Sequence, residues 1–204
     1  MNTEGRRSAN SATAFWTNES AGFIRFAEAQ QPHRKADGAF LKGLSKSFDV
    51  EIVRLFELKP TPCNDCGYCK ASDGCSKKDL DEFMKRYFDA DLIVIASPVY
   101  LDAFPAPMKA LFDRFQRFFC ARFRRHIEKP IEKPKQAVML LTAGSDGAEA
   151  QAVLEKQVRR AFSVMNTNLC ATILADHTDE REISDADLQR AYLLAQTISN
   201  TKGI

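Results

Sequence analysis

The run DLIVIASPVY, residues 91–100, settles the fold. From Leu92 to Ala96 it is apolar without alternation, a pattern carried by a strand covered on both faces. Such a strand sits centrally in a sheet with helices on both sides. Before it stands DVEIVRL (Asp49–Leu55), a short β-branched strand; after it come QAVMLLTAG (Gln136–Gly144) and ATILAD (Ala171–Asp176). Between them apolar residues recur at helical spacing. Leu80, Phe83, Met84, Tyr87 and Phe88 mark one stripe, Val153, Leu154, Val158, Phe162 and Met165 another, and Asp185–Ser199 reads as a closing helix. Strands separated by helix-length crossovers make an α/β fold with a doubly wound parallel sheet. Ligands of such sheets bind at the carboxyl ends of the strands, so the segments after Leu55, Ala96, Leu141 and Asp176 are where a site is expected.

The chain's 204 residues suit one domain with short appendages. With 45% hydrophobic and 27% charged residues the composition is globular rather than disordered. No apolar run approaches the ~20 residues of a membrane span, and MNTEGRRSAN lacks the apolar stretch of a signal peptide, so a cytoplasmic protein without membrane contact is expected. A net charge of +2 from 29 bases and 27 acids does not point to nucleic acid as a partner. The basic stretch ARFRRHIEKPIEKPK (Ala121–Lys135) is expected to be a solvated face. The first 45 residues are less regular: GFIRFA (Gly22–Ala27) is their only strand-like stretch. Residues 1–21 therefore read as an N-terminal extension, and 22–204 as the domain.

Four of the six cysteines fall in TPCNDCGYCKASDGC (Thr61–Cys75) with the spacing C-x2-C-x2-C-x5-C. In a reducing compartment such crowding means metal binding or redox chemistry before disulfides. A loop containing Gly67 and Gly74 can turn Cys63, Cys66, Cys69 and Cys75 inward around one small polymetal centre. Structural zinc usually takes two knuckles far apart in sequence, and bare thiols are the third alternative. The spacing favours an iron-sulfur cubane.

Two further turns stand at strand ends. In Ser97-Pro98-Val99-Tyr100 the proline fixes one dihedral, neighbouring amides and the Ser97 hydroxyl can face a planar heterocycle, and Tyr100 can lie along its ring. In Thr142-Ala143-Gly144-Ser145-Asp146-Gly147 the two glycines permit close backbone approach. Each alone is an ordinary strand-to-helix turn; together, at successive strand ends and beside the cysteine loop, they read as one site.

PCNDCGYCKASDGCSKKDLDEF, ADLIVIASPVYLDAFPAPMKALFDR and LLTAGSDG together resemble the NAD(P)H-dependent FMN reductase and flavodoxin-like group, and within it the iron-sulfur flavoproteins, from about Phe40 to the C-terminus. The resemblance implies a flavodoxin-like sheet of about five strands that binds FMN, with NAD(P)H as co-substrate and a homodimeric or homotetrameric assembly. It implies that Ser97, Pro98, Val99 and Tyr100 contact the isoalloxazine, that Thr142, Ala143, Gly144 and Gly147 line it, and that Cys63, Cys66, Cys69 and Cys75 ligate a 4Fe-4S cluster. The function implied is transfer of electrons from NAD(P)H or a ferredoxin-like donor through FMN to a quinone, flavin or protein acceptor. Tyr100 is expected to shape the substrate face. A zinc-binding or redox-sensing module with a vestigial flavin site is the alternative.

The departure from the group is at the flavin phosphate. Its members open with an apolar strand and a glycine- and serine-containing turn. GRRSANSATA (Gly5–Ala14) has a similar residue order but no strand before it. QQPHRKADGAFLKGL (Gln30–Leu44) lies at the right distance from Asp49 and is favoured, with Pro32, His33, Arg34 and Lys35 as the phosphate turn. Gly22–Ala27, or a nearby segment, is expected to supply the opening strand.

The remaining candidates carry plainer expectations. His126 and His177 read as surface or structural, and Cys120 and Cys170 as buried and inert. The band Phe104, Met108, Leu111, Phe112, Phe115, Phe118, Phe119 and Phe123 reads as core or subunit interface, with Phe104 near the SPVY turn.

Overall fold

The computed structural model describes residues 13–14, 23–26, 31–44, 48 and 50–201. In chain order they form β1 (Thr13–Ala14), β2 (Phe23–Phe26), α1 (Gln31–Gly43), β3 (Val53–Arg54), α2 (Leu55–Leu58), α3 (Tyr68–Ala71) and α4 (Asp81–Asp89). Then follow β4 (Leu92–Pro98), α5 (Ala106–Arg114), α6 (Gln116–Phe123), β5 (Lys135–Thr142), α7 (Ala148–Phe162), β6 (Thr167–Ala175) and α8 (Asp185–Thr201).

Every residue of β4 is buried, as its unbroken apolar run requires. Alternate side chains leave opposite faces of a strand, and here they enter two different cores. Ile93 and Ile95 of β4, with Ala137, Met139 and Leu141 of β5, pack against Phe83 and Tyr87 of α4, Met108 and Leu111 of α5, and Leu154, Val158 and Phe162 of α7. Leu92, Val94 and Ala96, with Val138 and Leu140, pack on the other face against Phe40 of α1 and Ala191, Ala195 and Ile198 of α8. The sheet is thus doubly wound, with order β2-β4-β5-β6 and all neighbours parallel.

β2 takes the place beside β4 expected for the opening strand, pairing Phe23 with Leu92 through Phe26 with Ile95. The stretch Asp49–Leu55 departs from expectation. Among its described residues only Val53–Arg54 is strand; it pairs antiparallel with Thr13–Ala14, and Leu55 already begins a helix. Among the described residues the parallel sheet therefore has four strands rather than five. The physical reason is visible in the alternation Glu51, Val53, Leu55 on one side and Ile52, Arg54 on the other: such a stretch is half-covered, and Ile52 is 44% exposed. Thr13–Ala14, within the segment read as an extension, contributes to this small ladder.

The aromatic band divides. Phe104, Met108, Leu111, Phe112, Phe115 and Phe118 are buried, but Phe119 and Phe123 lie outside the core, 43% and 53% exposed, with their rings packed on each other at 4.5 Å.

Candidate functional site

The register of β4 on β5 sets Ser97 beside Leu141 and Pro98 beside Thr142, so the turns that follow leave one rim of the sheet as neighbours. They are joined there. The Val99 N–H donates to the Thr142 carbonyl at 2.8 Å. Beyond it, Tyr100 and Ala103 exchange two backbone hydrogen bonds of 3.0 Å across a tight turn whose central residues, Leu101 and Asp102, have φ of 50° and 58°. Both are left-handed, the geometry of a hairpin turn that favours Gly, Asn or Asp; a leucine there costs ~1–2 kcal/mol. Tyr100 is 43% exposed and Leu101 99% exposed, so this rim carries an apolar lip. The Ser97 hydroxyl is bonded within its own turn. It is buried and donates to the Pro98 carbonyl at 2.9 Å.

The turn Thr142–Gly147 is pinned from above by the segment after β6, which the sequence pattern did not single out. Thr178 donates to the Ala143 carbonyl through both its N–H (3.0 Å) and its hydroxyl (2.9 Å), Asp179 N–H donates to Gly144 and His177 N–H to Ser145. The two glycines answer to this packing. A Cβ on Gly144 would stand 2.3 Å from the Asp179 carboxylate, and one on Gly147 would stand 2.8 Å from the Ala143 Cβ and 3.1 Å from a Leu174 methyl. His177, read as structural, serves here through its backbone, at φ 53°.

Pro32, His33, Arg34 and Lys35 lie in the first turn of α1 rather than in a turn before it. The side chains of Pro32, His33 and Arg34 fall outside the described residues, as does most of Gly5–Ala14. Lys35 is paired with Glu182 at 2.5 Å, which holds the Glu182 carboxyl below the usual carboxylate range. Lys35 also shares a groove with residues 178–183, which places the start of α1 beside the segment that pins the Thr142–Gly147 turn.

The cysteine loop forms its own hollow. Gly67 at φ 79° precedes α3 and Gly74 at φ 82° follows it; these are the positions where the chain must turn left-handed, and the glycines meet that need. The two stems of the loop are tied by one guanidinium. Arg114, the last residue of α5 and 4% exposed, donates to the Thr61 carbonyl at 2.9 Å, to Asp79 at 2.8 Å and to the Lys77 carbonyl at 2.8 Å. Asp79 also accepts from the Thr61 N–H at 2.8 Å, and Lys77 donates to the Pro62 carbonyl. Partial burial pulls the Asp79 carboxyl up, but the Thr61 N–H and Arg114 overcome it and hold it below its ordinary value. Cys63, Cys66, Cys69 and Cys75 all line this hollow, with Lys77, Arg114 and Arg117 among its walls.

The thiols are not equivalent. The Ser76 hydroxyl, 3.2 Å from the exposed Cys66 sulfur, and the backbone at Tyr68 lower the Cys66 pKa. Burial, and then the neighbouring thiol of Cys120, push Cys69 up to about 11. Cys120 is therefore buried, as expected, but it meets a cysteine of the loop. Cys170, expected buried, is exposed on β6.

Among the described residues no three His, Cys, Asp or Glu side chains gather around a point fit for one metal ion. The four cysteines line the hollow together with Lys77, Arg114 and Arg117, and the buried Arg114 Nε has no hydrogen-bond partner among the described residues. Four thiols with cations beside them are a donor set that a polynuclear cluster can use. No residue of 97–100 or 142–147 lines the thiol hollow. α5 runs from the Tyr100 turn to the Arg114 clamp, and its nine residues span about 13 Å.

Residues 33–177 match the family model described as NADPH-dependent FMN reductase. The chain belongs to that family. An iron-sulfur flavoprotein of Archaeoglobus fulgidus is 28% identical over 164 residues, 79% of this chain and 70% of that protein. An iron-sulfur flavoprotein of Methanosarcina thermophila is 39% identical over 70 residues, 34% of this chain and 37% of the relative's length. Among solved structures, the NAD(P)H:quinone oxidoreductase from Methanothermobacter marburgensis superposes with a TM-score of 0.55 at 16% identity, over 88% of this chain and 92% of that one. That likeness establishes the flavodoxin-like fold within the FMN reductase family. No described helix is long and apolar enough to cross a membrane.

Proposed function

We propose that this chain is an FMN-dependent electron-transfer oxidoreductase with two redox stations, a flavin at the rim formed by residues 97–100 and 142–147 and a 4Fe-4S cluster in the hollow of Cys63, Cys66, Cys69 and Cys75. The observation that carries the proposal is the Val99–Thr142 hydrogen bond, which locks two strand-end turns into one rim of a fold whose family reduces flavin. The names of the relatives support the second station. When bound, FMN supplies hydride acceptance and single-electron release, and the cluster supplies single-electron exchange.

The chain's own residues orient and insulate. The clamp of residues 177–179 fixes the Thr142–Gly147 backbone, Tyr100 offers a ring face at the exposed side, and the N-terminus of α1 with Lys35 nearby offers amides to the phosphate. Arg114 holds the stems of the cysteine loop. The donor is NAD(P)H or a ferredoxin-like protein, and the acceptor a quinone, a flavin or a protein. A homodimer or homotetramer of cytoplasmic location completes the proposal.

The test is the absorption spectrum of anaerobically purified protein with its extracted flavin identified. Flavin bands over a broad shoulder that dithionite bleaches support both stations. Flavin bands alone remove the cluster, and a colourless protein removes both.

A further inference from the structure

The cations around the thiol hollow differ in how they are engaged. Arg114 has both terminal nitrogens engaged by Thr61, Lys77 and Asp79; Lys77 donates to Pro62; Lys70, on the adjoining helix, pairs with Asp65 at 2.9 Å. Arg117, at the start of α6, also lines the hollow, yet among the described residues no hydrogen bond or ion pair to its guanidinium is seen. Its neighbours are the ring of Phe118, whose centroid lies 5.1 Å from the guanidinium carbon, and the backbone at Gly74, where an added Cβ would stand 3.6 Å from its Nη2. The nearby carboxylate of Asp73 is bonded to Arg125 at 2.9 Å. A half-buried guanidinium without a bound anion carries a desolvation cost, which the nearby carboxylates of Asp73 and Asp81 offset only in part. Arg117 is drawn below its ordinary pKa by burial, against the pull of Asp73.

From this geometry we propose that Arg117 is the charge partner of the anion held by the four cysteines and sets its reduction potential. The inference rests on the proposal that these cysteines ligate a cluster. With four thiolate ligands an iron-sulfur centre is anionic, and adding an electron makes it more so. A cation at the wall therefore stabilises the reduced form more than the oxidised form, and raises the potential. Guanidinium N–H groups beside ligand sulfurs act in the same direction. Arg117 is a tuning residue and contributes no ligand.

The experiment is an anaerobic redox titration of the loaded full-length chain, followed by the electron paramagnetic resonance signal of the reduced cluster, for parent, Arg117→Gln and Arg117→Lys. Iron and acid-labile sulfide are counted on each sample. Arg117→Gln is expected to lower the reduced-to-oxidised ratio at the parent midpoint about tenfold, a negative shift of about 59 mV for a one-electron couple. Arg117→Lys, which keeps the charge, is expected to restore at least half of that shift. A parental potential in Arg117→Gln overturns the proposal. So does loss of the cluster from both variants, since the side chain would then serve the loop's shape. Loss from Arg117→Gln alone, with Arg117→Lys loaded near the parental potential, supports it. Absence of iron and sulfide from the parent itself defeats the cluster assignment beneath it, and the iron count distinguishes that failure from a failure of Arg117.

Discussion

Replacing Arg114 by alanine is the sharpest perturbation of the cysteine loop. The side chain is 3% exposed and its guanidinium makes three bonds of 2.8–2.9 Å to both stems, Thr61 on one side and Lys77 and Asp79 on the other. Hydrogen bonds to a charged group contribute ~1.5–3 kcal/mol each, but these share one donor and are not additive. Breaking a buried ion pair by removing one partner costs ~3–5 kcal/mol. Asp79 is 27% exposed and keeps its bond from the Thr61 N–H, so the expected loss lies near the lower bound, about 3 kcal/mol. Urea denaturation of the metal-free chain reads it as a lower midpoint at unchanged slope. The loss also has a pH signature. Asp79 is held below its ordinary pKa when folded, so its contribution is present above the ordinary carboxyl range and disappears as pH falls through the lowered folded value. The difference between parent and Arg114→Ala should therefore shrink below about pH 4. A loss under about 1 kcal/mol at neutral pH, or a difference that grows in acid, would refute the clamp.

Three further outcomes follow from the same geometry. In metal-free protein near neutral pH, Cys66 should be alkylated faster than Cys69, because Ser76 lowers the first while burial and Cys120 raise the second to about 11; peptide mass spectrometry over a time course reads the two rates, and the reverse order contradicts it. Leu101→Gly should stabilise the chain by about 1 kcal/mol, since a fully exposed leucine at φ 50° loses no packing when removed; an unchanged denaturation midpoint would show that the turn is unstrained. Gly147→Ala should destabilise by ~1–3 kcal/mol, because the added methyl meets Ala143 and Leu174; a neutral effect would mean that this turn yields freely.

Much of the fold is legible in the sequence because buried parallel strands leave an unambiguous mark. Leu92–Ala96 needs two covered faces, and the helices that cover them show their own stripes in Phe83, Met84 and Tyr87 and in Leu154, Val158 and Phe162. Val153 and Phe123 fall on the apolar stripes yet are more than half exposed, since period alone does not fix which neighbouring position points inward. Asp49–Leu55 misled for a related reason: β-branched residues mark strand preference but not the partner, and here the partner is Thr13–Ala14. The cysteine spacing announced a loop that encloses one hollow. It could not reveal Arg114 and Arg117, which come from helices some forty residues downstream, nor Cys120 behind Cys69, because these meetings are tertiary. The clamp of residues 177–179 was hidden for the same reason, being made largely of backbone bonds.

Two redox stations on one chain call for both to be counted on one sample. Iron, acid-labile sulfide and FMN should be measured per chain in a single anaerobic preparation. Iron and sulfide are expected in equal amounts, in the proportion of one 4Fe-4S cluster to one FMN. Zinc in the hollow with no flavin would contradict it.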